Sequence, residues 1–247
     1  IEDYGDEWVT KMMYHYRWHH LYGDAIAKAG NMLPLMSDNQ MSPEQHGEIK
    51  DFITSRQMNR TALVGSTDNN RDVIETSFVR LLTTLETHLT ENQFLLGNRP
   101  GRGDFGLFGQ FSQLFFWEPD SSLIAARRSP RSVIWAYQLD DLSSLEVSEN
   151  EGWFTRNNLP ESSLNLLTEI GRTYAPFLMA NEQAIAAGDP ELSCLIEGHE
   201  YKQATFAYQN KCLSWIREAF RELSTDNQQA VKQILSGTGC EVLIADA

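Results

Sequence analysis

Apolar residues recur along this chain with the spacing of helices far more often than with that of strands. From Asp3 to about Ala29, Trp8, Met12 and Tyr16 repeat every four residues with Val9 and Met13 beside them, while Asp3, Asp6 and Glu7 suit the positive end of a helix. This segment reads as one long, broadly buried helix. Ser42-Pro43-Glu44-Gln45 supplies an N-cap, a proline at the first helical position and a capping-box partner, and Ile49, Phe52 and Ile53 follow on one face. Ile74, Phe78, Leu81, Leu82, Leu85 and Leu89 keep helical spacing without a break. After the turn Gly97-Asn98-Arg99-Pro100 come Gly101-Arg102-Gly103-Asp104 and then Phe105, Leu107, Phe108, Phe111, Leu114 and Phe115. Apolar positions there crowd every side, which predicts a helix in the middle of the fold, with Gly106 and Gly109 admitting close neighbours.

Ser129-Pro130 restarts a helix through Ile134 and Leu139, and Ser148 to Asn158 is polar enough to be a loop. A further helix from about Ser163 to Ala187 contains Pro176, where a kink is expected. The run Cys194-Leu195-Ile196, the turn Glu197-Gly198 and His199-Glu200-Tyr201 suggest a short two-stranded hairpin. Tyr208, Cys212, Trp215, Ile216, Ala219, Phe220 and Leu223 form the cleanest amphipathic series, and Thr225-Asp226-Asn227-Gln228 caps one more helix toward Leu235. The pattern is that of a single all-α domain over 1–247, packed helix on helix, with one β-hairpin near 194–203 and an extended C-terminal part from about 203.

Composition narrows the picture. With 41% apolar and 11% aromatic residues, the 247-residue chain can bury a sizeable core. Its 20 basic against 34 acidic residues give a net charge of -14, which disfavours nucleic acid and anionic lipid as partners. Arg127, Arg128 and Arg131 form a short basic cluster, read as a solvated helix start. Cys194, Cys212 and Cys240 are odd in number and widely spaced, so they indicate neither a disulfide framework nor a zinc site; a reducing, cytoplasmic setting fits. No apolar run reaches the roughly 18 residues of a membrane span. The chain opens on Ile1, directly in a helical pattern, which suggests a cut inside a longer protein.

The stretch from Phe94 to Phe111, FLLGNRPGRGDFGLFGQF, resembles the entry to the central helix of the C-terminal domain of glutathione S-transferases. In that family a leucine-rich helix leads to "FLLG", a turn, a Ser/Thr-x-x-Asp capping box and a buried helix. Leu81, Leu82 and Leu85 precede the match, and Asp104 stands at the third position of the helix; Gly101 replaces the usual Ser or Thr cap. Asp104 and Gly101 are therefore assigned to structure. Weaker matches run along the chain at Tyr4-Gly5-Asp6-Glu7-Trp8, Glu118-Pro119-Asp120-Ser121-Ser122 and Tyr208-Gln209-Asn210-Lys211-Cys212-Leu213.

The resemblance implies a glutathione S-transferase C-terminal-like helical bundle that supplies the acceptor-substrate pocket and the interdomain or dimer surface, including that of a homodimer. It implies glutathione as co-substrate, bound mainly by an N-terminal thioredoxin-like domain, and a small hydrophobic electrophile as acceptor. No residue of this chain matches the family's catalytic position, so this chain alone is expected to be inactive even where the intact protein is a transferase. The alternative is a non-catalytic binding or assembly module on the same fold.

On the first helix Tyr14, Arg17 and Trp18 lie within about one turn, and the corresponding helix of the family lines the electrophile pocket. The competing reading makes the aromatics core and pairs Arg17 with an internal carboxylate. Phe111 and Phe115, with Trp117, are a second apolar candidate, against the more common role of such residues as core. His15 and His19 share a helix face at a spacing that metal sites use, but neither a third ligand nor an intervening Glu is evident, so no metal is expected. Cys212 reads as an inert buried thiol.

Overall fold

The computed structural model describes residues 1–148 and 151–245. These residues are mostly helical, with one two-stranded antiparallel sheet among them. Helix α1 (2–18) is α-helical over Glu2–Tyr4 and Thr10–Trp18 but π-helical over Gly5–Val9. Helices α2 (Gly23–Ser37) and α3 (Pro43–Met58) follow, then a 3₁₀ turn over Thr61–Val64 and α4 (Arg71–His88). Next come α5 (Arg102–Phe116), α6 (Pro119–Arg128), α7 (Pro130–Asp140) and α8 (Glu161–Ala187). Strands β1 (Glu191–Ile196) and β2 (His199–Ala204) precede α9 (Ala207–Arg221), α10 (Thr225–Leu235) and a final 3₁₀ turn, Cys240–Ile244.

The core lies between α1, α4, α5 and α8. Trp8 and Val9 of α1, Phe78 and Leu82 of α4, Phe111 of α5 and Phe177 of α8 are all fully excluded from solvent. Helices α1 and α5 meet backbone to backbone: a Cβ placed on Gly5 would sit 2.7 Å from the Gly106 carbonyl carbon, and one on Gly106 would sit 2.9 Å from Glu2 Cα. Only glycine at both positions allows that approach. Gly109, by contrast, has open space beside it.

Asp104 secures the entry to α5. Its Oδ1 accepts the Leu95 N–H at 2.9 Å and its Oδ2 accepts the Gly101 N–H at 2.9 Å. With no side chain on Gly101, only the returning half of a capping box is made; the second bond instead fixes the preceding turn. At α3 the full box forms, with Gln45 N–H donating to Ser42 Oγ and Ser42 N–H to Gln45 Oε1. The hairpin is as expected but longer at both ends, with Cys194 opposite Tyr201. Glu197 and Gly198 have φ of 51° and 80°, the left-handed pair that a two-residue hairpin turn with right-handed twist requires.

Four expectations are corrected. The helix read from Asp3 to Ala29 breaks after Trp18: His19 is extended at ψ 137° and α2 starts afresh at Gly23. Contacts of the His19 and His20 rings described below override the local periodicity. Helix α5 is not covered all round, since Phe105 is 47% exposed and Phe108 half-buried. Helix α3 buries no residue fully; Ile53 is half-buried and Phe52 is 66% exposed. The last helix is capped by Ser224, not Thr225, with Ser224 Oγ accepting the Asn227 N–H. Of the polar loop Ser148 to Asn158, residues 149 and 150 lie outside the described residues.

Candidate functional site

A cleft of about 760 Å³ opens between the N-terminal half of α1, the end of α3, the 3₁₀ turn and the start of α9. Its α1 wall is Asp6, Glu7, Thr10, Lys11 and Tyr14, which the helical period puts on adjoining faces. Arg56, Gln57 and Arg60 form a cationic rim, and Leu63, Val64, Phe206 and Tyr208 an apolar one. Tyr14 donates its hydroxyl to the Gln57 carbonyl at 2.9 Å and meets Gln57 Oε1 at 3.2 Å, tying α1 to α3. Glu7 accepts a hydrogen bond from Gln209 Nε2 at 3.1 Å, and burial raises the Glu7 carboxyl above its usual range. Gln209 Oε1 is buried and makes no hydrogen bond.

Lys11 is the unusual residue of this cleft. Only 1% exposed, its ammonium donates to Gln203 Oε1 of β2 at 2.7 Å and to the Val64 carbonyl at 3.3 Å, 4.3 Å from the Phe177 ring centre. Burial lowers its pKa to about 7, with the Glu7 charge pulling the other way. Near neutral pH the side chain thus exists both as ammonium and as amine, the condition under which a lysine can give or take a proton. The cleft combines such a group with cations and an apolar wall, an arrangement suited to a small, largely apolar molecule that acquires negative charge.

Of the residues singled out from the sequence, Tyr14 lines this cleft, and Arg17, Trp18, Phe111 and Phe115 do not. Arg17 turns inward: Nε donates to Glu118 Oε1, Nη1 to Gln113 Oε1 at 3.0 Å, and the guanidinium lies 5.5 Å from the Trp117 ring centre. Trp18 is 2% exposed, and Phe111 packs on Phe115 with ring centres 4.5 Å apart and on Trp135 at 6.2 Å. No family model, curated protein or solved structure matches this chain. Burial pushes up all three thiols, Cys194 and Cys240 to about 11 and Cys212 further, with Asp3 adding to the effect at Cys212. None of them is primed as a nucleophile.

Sequence reading misses two groups. Lys11 sits in an apolar-looking helix, and its burial depends on Gln203, 192 residues away. The second group surrounds His19. The His15 and His19 rings lie tilted against each other with centres 4.5 Å apart, but His15 is engaged elsewhere, Nδ1 lying 2.8 Å from Ser66 Oγ and Nε2 3.2 Å from Glu75 Oε1. Tyr22 donates to that same Glu75 oxygen at 2.7 Å. His19 instead faces His20 and Asp68, so a third ligand-type side chain is present where the sequence suggests none. A histidine at the last turn of a helix followed by a second histidine is the local signal that could have pointed there.

Proposed function

We propose that this chain is the helical half of a glutathione S-transferase-like protein and that the Lys11–Tyr14 cleft receives the acceptor substrate, a small hydrophobic electrophile. The observation that carries the reading is the cleft itself, which joins an apolar wall to a buried cation and two arginines. A thiolate held by an N-terminal thioredoxin-like domain would form a carbon–sulfur bond to the acceptor and expel its leaving group. Lys11, Arg56 and Arg60 would stabilise the negative charge that develops on the acceptor, and the walls would orient it. The leucine-rich α4, the turn after it and the Asp104-held entry to α5 support the family. The exposed apolar side chains of Phe105, Ile134 and Tyr137 suit an interdomain or dimer surface.

The test has two parts. Full-length protein carrying the thioredoxin-like domain is assayed for glutathione conjugation across several aryl and alkyl electrophiles; absence of both turnover and glutathione binding removes the transferase reading. The chain alone is then titrated with an environment-sensitive apolar fluorophore. Leu63→Glu, at a position 56% exposed, is expected to abolish binding while leaving the fold intact, and unchanged binding takes the cleft out of the account.

A second reading, a non-catalytic binding or assembly module, is favoured by the α2–α3 hairpin, where Met36 is 70% and Phe52 66% exposed. A stable protein partner recovered from a protein without glutathione affinity would decide for it.

A further inference from the structure

His19, His20 and Asp68 converge where the end of α1 meets the turn before α4. Consecutive residues within an α-helix point about 100° apart and do not share a target. Here the helix ends at His19, whose ψ of 137° turns the chain so that the two imidazoles lie 4.4 Å apart, centre to centre. His19 Nε2 is 3.3 Å and His20 Nε2 3.6 Å from one oxygen, Asp68 Oδ1, and the three ligand atoms all fall within 4.8 Å of one another.

These separations are long for charge-assisted hydrogen bonds, which run at about 2.7–2.9 Å. The edge of a tetrahedron with metal–ligand bonds of about 2.0–2.1 Å is about 3.3–3.4 Å, which the His19–Asp68 separation of 3.3 Å matches and the His20–Asp68 separation of 3.6 Å slightly exceeds. The group is also built unevenly, in a way that suits capture of an ion. His19 is 2% exposed and clamped against the His15 ring, which Ser66 and Glu75 hold in turn. The side chains of His20 and Asp68 are 56% and 74% exposed and free to close the remaining gap.

We propose that His19, His20 and Asp68 bind one divalent transition-metal ion of the zinc type, with solvent in the fourth position. Two imidazoles and one carboxylate favour borderline ions such as Zn²⁺, Co²⁺ or Ni²⁺ over Mg²⁺ and Ca²⁺, which take oxygen. The ion clips the C-terminal end of α1 to the turn at Asp68, segments otherwise joined there by side-chain contacts. The site is separate from the Lys11 cleft and does not depend on the reading of that cleft.

The chain is titrated with Co²⁺ while its visible d–d absorption is followed, and the bound Co²⁺ is then displaced with Zn²⁺ in a calorimeter near neutral pH. One equivalent of Co²⁺ with the intense band of four-coordination, displaced by one equivalent of Zn²⁺ and unaffected by excess Mg²⁺, is expected. His20→Gln and Asp68→Asn change exposed side chains, so both variants fold; each weakens binding at least about tenfold, whereas His46→Gln on α3 leaves it unchanged. Zn²⁺ raises the Tm of the parent chain and not that of the double variant. Failure to bind Co²⁺ at one equivalent overturns the proposal, and so does binding with parent-like affinity in both single variants.

Discussion

Replacing Lys11 with Met should make the protein more stable at neutral pH, and the gain should vanish as the pH rises. The lysine titrates at about 7 when folded against 10.5 for an unperturbed side chain. Below about pH 7 it is protonated in both states, and the buried charge opposes folding in full, by roughly 5 kcal/mol at 1.36 kcal/mol per pH unit. Between about 7 and 10.5 the unfolded chain holds a proton that the folded one has released, so stability climbs with pH. Above 10.5 both states are neutral and the penalty is gone. Glu7 on the same helix offsets part of the cost; Asp6 and the arginines 56 and 60 line the same cleft, and β2 contributes only the neutral Gln203 and Tyr201.

Integrated from pH 6.5 to 9, this one group contributes a rise of about 2–3 kcal/mol. Lys11→Met costs about 1 kcal/mol, because the Val64 carbonyl loses its donor, while Gln203 Oε1 keeps the Tyr201 hydroxyl at 2.9 Å. Urea unfolding of both proteins at intervals across this range, analysed as the difference between them, cancels the titrating groups that are not coupled to Lys11, which leaves Glu7, its charge partner. The variant should be the more stable by about 3–4 kcal/mol at pH 6.5, and the two curves should converge toward pH 9–10. Parallel curves would refute the buried, depressed lysine.

Asp104→Ala strips the acceptor from two backbone N–H groups and should cost about 2–4 kcal/mol in denaturant unfolding, with no change in fluorophore binding at the cleft. Arg17→Met leaves Glu118, fully buried, without its cation, and should cost about 3–5 kcal/mol; adding Glu118→Gln should recover part of this, and a full recovery of nothing would argue against the pair. Gly106→Ala forces α1 and α5 apart and should lower stability by about 1–3 kcal/mol, whereas Gly109→Ala, with open space beside it, should raise stability by about 0.5–1 kcal/mol. Equal effects of the two alanines in thermal unfolding would contradict the crossing geometry.

Features decided by neighbours in sequence were legible; those decided by distant segments were not. The α4 periodicity, the Asp104 entry and the Glu197-Gly198 turn depend on residues a few positions apart. Periodicity also shows which side of a helix is apolar, but not whether anything covers it: Phe52 and Phe105 belong to apolar faces that the described residues leave open. The inward turn of Arg17 needed Glu118, 101 positions away, and the break at His19 involves Asp68. The cleft draws on α1, the 3₁₀ turn and α9, and its polarity rests on a lysine whose hydrogen-bond acceptor lies on a strand near the other end of the chain. Tyr14 came to that cleft, whereas Arg17 and Trp18, only a turn further on, did not, because α1 faces the core there.

The wide turn at Gly5–Val9 has a consequence for how this chain can vary in length. A π turn accommodates one residue more than an α turn, so α1 carries an offset in phase at the place where it crosses α5. Deleting one residue from the regular turns after Val9 would rotate everything before it by about 100°, whereas the wide turn itself can lose one residue and relax to a regular spiral with its two flanks still in phase. In the first case Asp3, which accepts the Tyr174 hydroxyl at 2.6 Å, would swing off its partner, and Glu2 would leave the flat seat that Gly106 offers. The residue count of α1 is therefore set like the teeth of a key along its regular turns and slack at the wide one, where a residue other than Gly5 can be lost with the first turn still engaged.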